Sequence, residues 1–335
     1  MYKLNSITTM DCVKGLMKLP EAHVQCCITS PPYYRQRDYG IQGQYGLEDT
    51  PAQYIEKLVE TFRQVSRCLT HDGTLWLNLG DAYWGSGKAG KNPSSRLQHK
   101  EFGRGMTNIS RAGLPTHGRH AYLKPKDLIG IPWLVAFALQ KAGWYLRQDI
   151  IWHKPNPKPE SVHDRCTRAH EYIFLLSKSR QYYFDAAAIC TEGKTKEARL
   201  PDVVRNRQQG YSSKENLNPQ AYLGYTRPSM QRTLLAYQVK DRPRVNKRSV
   251  WSVHTRPFKE AHFATFPQQL IAECVRAGSR VNDTILDPFM GSGTTAVVAR
   301  KLNRNFIGFE INPDYVKIAR RRLQQTTIQA DQTDL

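Results

Sequence analysis

The sequence has no uninterrupted apolar run near the roughly 18 residues that a membrane-spanning helix needs, and its first residues, MYKLNSITTMDCVKG, lack the apolar block of a secretory signal. A soluble, cytoplasmic protein with no membrane partner is expected. Cysteine is sparse and unpatterned: seven residues, an odd count, with no Cys-x-x-Cys and with Cys26 and Cys27 adjacent in an apolar run. That spacing excludes a disulfide framework and a four-cysteine zinc site. His99, His117 and His120 show no metal-ligand spacing either, so no metal is expected.

Acidic residues are missing from two stretches in particular. Residues 85–126 hold nine Lys/Arg against Glu101 alone, and residues 194–259 hold fifteen against Glu197, Asp202, Glu215 and Asp241. Together they carry 19 of the 20 formal positive charges on the 335-residue chain. Solubility does not require such concentration. A near-neutral folded frame bearing two basic attachments points to a polyanion, with nucleic acid as the expected partner.

The remaining sequence is periodic. A short apolar run at 23–29 stops at Pro31-Pro32. Residues 51–69 have helical spacing, with Thr50 as N-cap and Pro51 at the first position. Strands are expected at 73–79, 145–153, 171–177, 284–287 and 305–310, and helices at 132–142, 267–277, 294–302 and 313–324. The β-α-β-α order at the end predicts an α/β fold with a doubly wound, mainly parallel sheet. The expected organisation is one catalytic domain from 1–84, 127–190 and 260–324. Residues 85–126 are expected to be a basic flexible insertion, 191–259 a separate module or large insert and 325–335 a tail.

In DTILDPFMGSGTTAVVARKLNRNFIGFE a strand runs into the turn Gly291-Ser292-Gly293, which opens a helix, and Glu310 closes the next strand 17 residues after Gly293. Glycines at a strand's carboxyl end let a ligand approach the backbone, and an acid ending the next strand can accept ribose hydroxyls. The third glycine of the dinucleotide fingerprint is missing. Asp287 also brings a carboxylate where a pyrophosphate would sit, which disfavours NAD. That carboxylate suits a ligand with cationic groups, such as the amino and sulfonium groups of S-adenosyl-L-methionine.

Asp287 to Thr295 matches the pattern DPFxGSGTT and resembles the cofactor motif of the DNA amino-methyltransferases. The resemblance implies cofactor contacts at Asp287, Pro288, Phe289, Gly291, Gly293, Thr294 and Glu310. It also implies weaker contacts at Phe263, Thr265 and Pro267, and at Asp11 near the adenine. Ser30-Pro31-Pro32-Tyr33 resembles the second family signature. An exocyclic amine is a poor nucleophile because its lone pair is delocalised into the ring. The Ser30 hydroxyl and the Pro31 carbonyl can each accept one N–H and aim the lone pair at the methyl group, while Pro32 stiffens the turn. Tyr33 can stack on a base swung out of the duplex.

The catalytic motif precedes the cofactor motif, which resembles the permuted β class of this family. The resemblance implies a target-recognition region between the motifs, for which 191–259 is the candidate, and double-stranded DNA as the partner. C5-cytosine chemistry needs a cysteine nucleophile, which that family carries after a proline; no cysteine here follows one. Serine before Pro-Pro leans the substrate toward cytosine N4. Adenine N6 stays open, and so does a non-catalytic DNA-binding protein on the same fold. Lys88, Lys91, Arg96 and Lys100 are expected to hold phosphate. Arg205, Arg207, Arg227 and Arg232, interleaved with Asn, Gln and Tyr, are expected to face DNA where base edges are read. Trp152, Lys154 and Asn156 sit at a strand end that could face the base or merely anchor a loop, and Glu171 reads as a surface acid. A companion restriction enzyme would fit such a protein.

Overall fold

The structure, a computed structural model, describes residues 2–85, 120–192, 244–255 and 266–333, with side chains to residue 326. It divides into two compact units, Met1–Asp185 with Arg248–Leu335, and Ala186–Lys247. The described part of the smaller unit is a single turn at Ala187–Ile189 and an antiparallel pair, Thr191–Glu192 (β6) with Arg244–Val245 (β7).

The larger unit carries β1 (Ser6–Thr9), α1 (Cys12–Leu16), β2 (Val24–Thr29), α2 (Pro51–Cys68), β3 (Leu69–Leu79) and α3 (Ile131–Lys141). These are followed by β4 (Tyr145–His153), β5 (His170–Ser177), β8 (Val250–Ser252) and α4 (Gln268–Gly278). The chain ends with β9 (Thr284–Asp287), α5 (Thr294–Lys301), β10 (Asn305–Glu310) and α6 (Pro313–Thr333). Eight strands form one sheet in the order β1-β10-β9-β2-β3-β5-β4-β8. All neighbours are parallel except β5, which is antiparallel to both β3 and β4. The expected α/β class and mainly parallel sheet are therefore present. Among the described residues no helix is long and apolar enough to cross a membrane.

Alternation along the strands divides the core into two layers. Cys27, Leu75, Leu77, Leu286, Ile307 and Phe309 join one buried cluster with Leu16 of α1, Tyr54, Leu58 and Phe62 of α2, and Val135 and Leu139 of α3. The intervening residues face the other way. A methyl group on Gly278 of α4 would meet Trp76 Nε1 at 2.7 Å and Cys26 Sγ at 2.8 Å, so α4 lies directly on that second face. Because both faces are covered, β2 is buried at every position, which is why its sequence is an unbroken run and not an alternation. Full burial of each Leu or Phe in these layers stabilises the fold by about 1.5–3 kcal/mol.

The start of α2 follows the expected chemistry. Thr50 Oγ1 accepts from Gln53 N at 3.2 Å, and Gln53 Oε1 accepts from Thr50 N at 3.1 Å, with Pro51 at the first helical position. Three differences from the sequence expectation have physical causes. Strand β1 is only four residues long and edges the sheet, too short to show a period. Strand β8 lies within the stretch read as a separate recognition region, yet it pairs with β4 through Trp152↔Trp251. Helix α6 continues to Thr333 because neither proline nor glycine interrupts the segment beyond Gln324.

Asp81, just past the end of β3, fixes that end to α3. Its Oδ1 accepts from Ala82 N at 2.8 Å and Ile131 N at 3.0 Å, and both carboxylate oxygens lie 3.1 Å from Gly130 N. Helix α3 has no side-chain N-cap of its own, so Asp81 supplies that function from another element. Asp81→Ala is expected to cost about 2–4 kcal/mol in urea unfolding, because two buried helix-start N–H groups lose their acceptor; Asp81→Asn should cost less.

Candidate active site

The carboxyl ends of β2, β3, β4, β9 and β10 lie on one edge of the sheet, where ligands of open α/β sheets bind. Because β5 runs against the rest, its amino end, with Glu171, arrives at the same edge. A cavity of about 260 Å³ opens there, and both sequence signatures line it.

On one side stand Ser30, Pro31, Pro32 and Tyr33, the four residues of the second signature. Tyr54 Oη donates to the Pro32 carbonyl at 2.9 Å and fixes the turn. Among the described residues no hydrogen bond falls on the Pro31 carbonyl. The Tyr33 ring lies against Gly80, where an added methyl group would come within 2.5 Å of it. Its hydroxyl donates to Glu171 Oε2 at 2.6 Å and accepts from Asn78 Nδ2 at 2.7 Å. Ser30 Oγ donates to Tyr33 Oη at 3.3 Å. Burial and the neighbouring Glu171 carboxylate push the Tyr33 phenol well above its usual range, so it keeps its proton. Lys154 Nζ pairs with Glu171 Oε1 and lies 4.4 Å from the centre of the Trp152 ring.

On the other side stand Asp11, Pro288, Phe289, Gly291, Thr294 and Glu310. Asp11 caps α1 by accepting from Lys14 N at 3.0 Å. Gly291 has φ +52° and donates its N–H to Glu310 Oε2 at 2.7 Å, while Glu310 Oε1 accepts from Asn312 N at 2.8 Å. Burial raises the Glu310 carboxyl, and these N–H groups oppose the shift. The carboxylate is thus held by backbone N–H groups while the residue lines the cavity. Phe289 packs edge-on against Tyr45 at 5.1 Å. The cavity therefore offers carboxylates beside an apolar wall that also includes Ile311, an arrangement that fits a nucleoside carrying hydroxyl and cationic groups.

Three cofactor residues named from the sequence do not line the cavity. Asp287 has no exposed surface and does not line the cavity. Its Oδ1 accepts from Thr29 Oγ1 at 2.6 Å and Phe289 N at 3.0 Å, and its Oδ2 accepts from Thr295 Oγ1 at 2.7 Å. A carboxylate so engaged ties β9 to β2 and α5. Gly293 does not line the cavity either. With φ +82° it begins α5, and a methyl group there would meet Ala319 Cβ at 2.6 Å, so its smallness serves helix packing. Pro267 is the N-cap of α4, and it is the adjacent Phe266 that lines the cavity. Phe263 and Thr265 lie outside the described residues, as do Lys88, Lys91, Arg96, Lys100, Arg205, Arg207, Arg227 and Arg232.

Sequence reasoning did not single out Asn78 and read Glu171 as a surface acid, yet both line the cavity. Asn78 is the one polar residue in the apolar end of β3, a signal that was present. Its Oδ1 is buried without a protein partner while its Nδ2 faces three oxygens.

A family model described as DNA methylase, for the N6/N4 class, matches residues 24–321. The chain is 41% identical over 324 residues to the Type II methyltransferase M.Cfr9I of Citrobacter freundii, covering 96% of this chain and 89% of that protein. It is 42% identical over 313 residues to the Type II methyltransferase M.SmaI of Serratia marcescens, covering 93% and 88%. In fold it is similar to the Thermus thermophilus protein TTHA0409, solved in complex with S-adenosyl-L-methionine. That match has a TM-score of 0.56 at 21% identity, over 96% of this chain and 93% of that one. The PvuII DNA methyltransferase, titled cytosine-N4-specific, matches with a TM-score of 0.56 at 19% identity, over 98% and 91%.

Burial raises the Asp287 carboxyl to about 7, against the hydrogen bonds from Thr29, Thr295 and Phe289 that oppose it. A carboxyl whose folded pKa lies above its unfolded value stabilises most below the unfolded pKa, near 4, and loses that contribution as pH rises through about 7. Asp287→Asn keeps the geometry and removes the titration. Urea unfolding across that range should show wild-type stability falling relative to the variant by roughly 2–4 kcal/mol, with no further divergence above the folded pKa. Parallel curves for the two proteins would contradict this.

Proposed function

The chain belongs to the N6/N4 DNA methylase family, and from that premise we propose that it methylates the exocyclic N4 of cytosine in specific sequences of double-stranded DNA, on a base swung out of the duplex. S-adenosyl-L-methionine supplies, when bound, a methyl group on a positively charged sulfur. The observation that carries the reading is that Ser30 and Pro31 line the same cavity as Asp11 and Glu310.

The residues divide the labour. Glu310 and Asp11 would accept from the cofactor's hydroxyl and nitrogen donors, and Pro288, Phe289 and Ile311 would cover its apolar parts. Gly291 keeps the backbone clear of that space. Ser30 and Pro31 would each accept one N–H of the target amine and hold its nitrogen toward the methyl donor. No covalent enzyme intermediate is required, because the nitrogen itself is the nucleophile. The Tyr33 ring bounds the space for the base. Placing a base in so narrow a cavity requires its extrusion from the stack. Serine at position 30, in place of a carboxylate, supports cytosine N4 over adenine N6.

The order of the signatures, amine site on β2 and cofactor turn after β9, supports the permuted β class. In that arrangement 85–126 would hold phosphate and 191–247 would read sequence. A cytoplasmic setting beside a companion restriction enzyme suits a protein of this kind.

Digestion of DNA from a methylation-free host expressing the protein, followed by mass spectrometry, should yield N4-methylcytosine. N6-methyladenine would overturn the base assignment, and unmodified DNA the activity. Ser30→Ala should lower the single-turnover rate by on the order of 10²-fold with cofactor affinity nearly intact. Neutralising Lys88, Lys91, Arg96 and Lys100 should weaken cognate and unrelated duplexes about equally and flatten the salt dependence, as competition binding at two salt concentrations would register.

A further inference from the structure

A serine hydroxyl is ambiguous: it can accept from the target amine or donate toward it, and only acceptance helps the chemistry. We propose that Glu171 removes the ambiguity by setting the direction of the hydrogen-bond chain Ser30–Tyr33–Glu171, so that Ser30 presents a lone pair to the amine. This rests on the proposed function above and deepens it.

The direction follows from counting hydrogens. A carboxylate has none to give, so the contact of 2.6 Å between Tyr33 Oη and Glu171 Oε2 consumes the single hydrogen of the phenol. Tyr33 Oη must then accept, and it does so from Ser30 Oγ at 3.3 Å and Asn78 Nδ2 at 2.7 Å. The hydroxyl hydrogen of Ser30 is thereby spent on Tyr33, away from the substrate. Asn78 reinforces the order: its Nδ2 also lies 3.3 Å from Ser30 Oγ and 3.1 Å from Glu171 Oε2, so Ser30 Oγ, Tyr33 Oη and Glu171 Oε2 each face a donor, while Asn78 Oδ1 keeps no protein partner. The reversed amide would set Oδ1 against the Glu171 carboxylate. The Tyr33 phenol, held well above its usual range, does not ionise and cannot reverse the chain.

Fold topology makes the arrangement possible. Glu171 reaches the reactive edge because β5 is antiparallel to its neighbours, and Lys154, just past β4, balances its charge through the other oxygen. Glu171 is thus a positioning residue, acting on the amine through Tyr33 and Ser30.

The test is a double-mutant cycle in single-turnover methyl transfer, with labelled S-adenosyl-L-methionine and DNA from a methylation-free host. Glu171→Gln, whose amide can donate as well as accept, should slow the wild-type background by about 10-fold or more, with calorimetric cofactor affinity within about twofold. In the Ser30→Ala background, where no hydroxyl remains to be oriented, the same change should cost less than about twofold. Tyr33→Phe breaks the chain but leaves the Glu171–Lys154 pair intact. It should show the same pattern and decides the matter if Glu171→Gln fails to fold. An equal loss in both backgrounds would assign Glu171 a merely structural role and overturn the inference, as would a wild-type rate in Glu171→Gln. No transfer by the wild type, or full activity of Ser30→Ala, would instead overturn the parent reading and this inference with it.

Discussion

The buried carboxylate of Asp287 is the contact on which the arrangement of the site depends. Strands β2 and β9 are registered through only two residue pairs, Cys26↔Ile285 and Cys27↔Leu286. Just beyond them the hydrogen bond from Thr29 to Asp287 links the two strand ends, joining residues 258 apart in sequence. Ser30 follows the first and Pro288 the second. One buried contact therefore sets the distance between the amine site and the cofactor wall. A fully buried carboxylate costs several kcal/mol unless its oxygens are satisfied. Two threonine hydroxyls and the Phe289 N–H satisfy these, and in doing so they also fix Thr295 at the start of α5 and the turn that precedes it.

The edge so fixed gains its remaining polar groups from the one strand that runs the wrong way. In an all-parallel sheet every strand would bring its carboxyl end, and the acid at the start of β5 would lie at the far side of the molecule. Reversal places Glu171 beside Asn78 of β3 and Lys154 just past β4, in a group of charged and amide side chains. The parallel half presents Glu310 and the glycine turn. The two halves of the cavity thus differ in chemistry because the strands differ in direction.

This explains which parts were legible in the sequence. The strands and helices that carry long periods, such as α2 with its capping box and the β9-α5-β10 unit, fall close to where their patterns place them. The two signatures were legible because short runs of proline or glycine constrain the backbone wherever they occur. Asp287 was recognised as important, but its direction was not: sequence cannot show that Thr29, far away, supplies the hydroxyl that turns the carboxylate inward. Gly293 was misread for the same reason, since the Ala319 contact comes from a helix that follows it by one strand. Glu171 stayed hidden because its meaning depends on strand direction. Asn78 was readable as a polar residue in an apolar strand end. Strand β8 was missed because three residues carry no period.

The pairing of residues 30 and 171 follows from the same electrostatics. A carboxylate at position 30 would need no neighbour to fix its polarity, since it can only accept. Placed here, however, it would stand one phenol away from Glu171, and two negative charges in a cavity shielded from water repel by several kcal/mol at the low effective dielectric of such sites. The phenol has one hydrogen and could neutralise the demand of only one of them. With serine at position 30 the charge is carried once, at Glu171, where Lys154 balances it, and the hydroxyl transmits its polarity toward the substrate without adding charge. On the proposed reading, a neutral acceptor next to the target amine and a charged one behind it would be parts of one arrangement, and substituting either alone would change what the other can do.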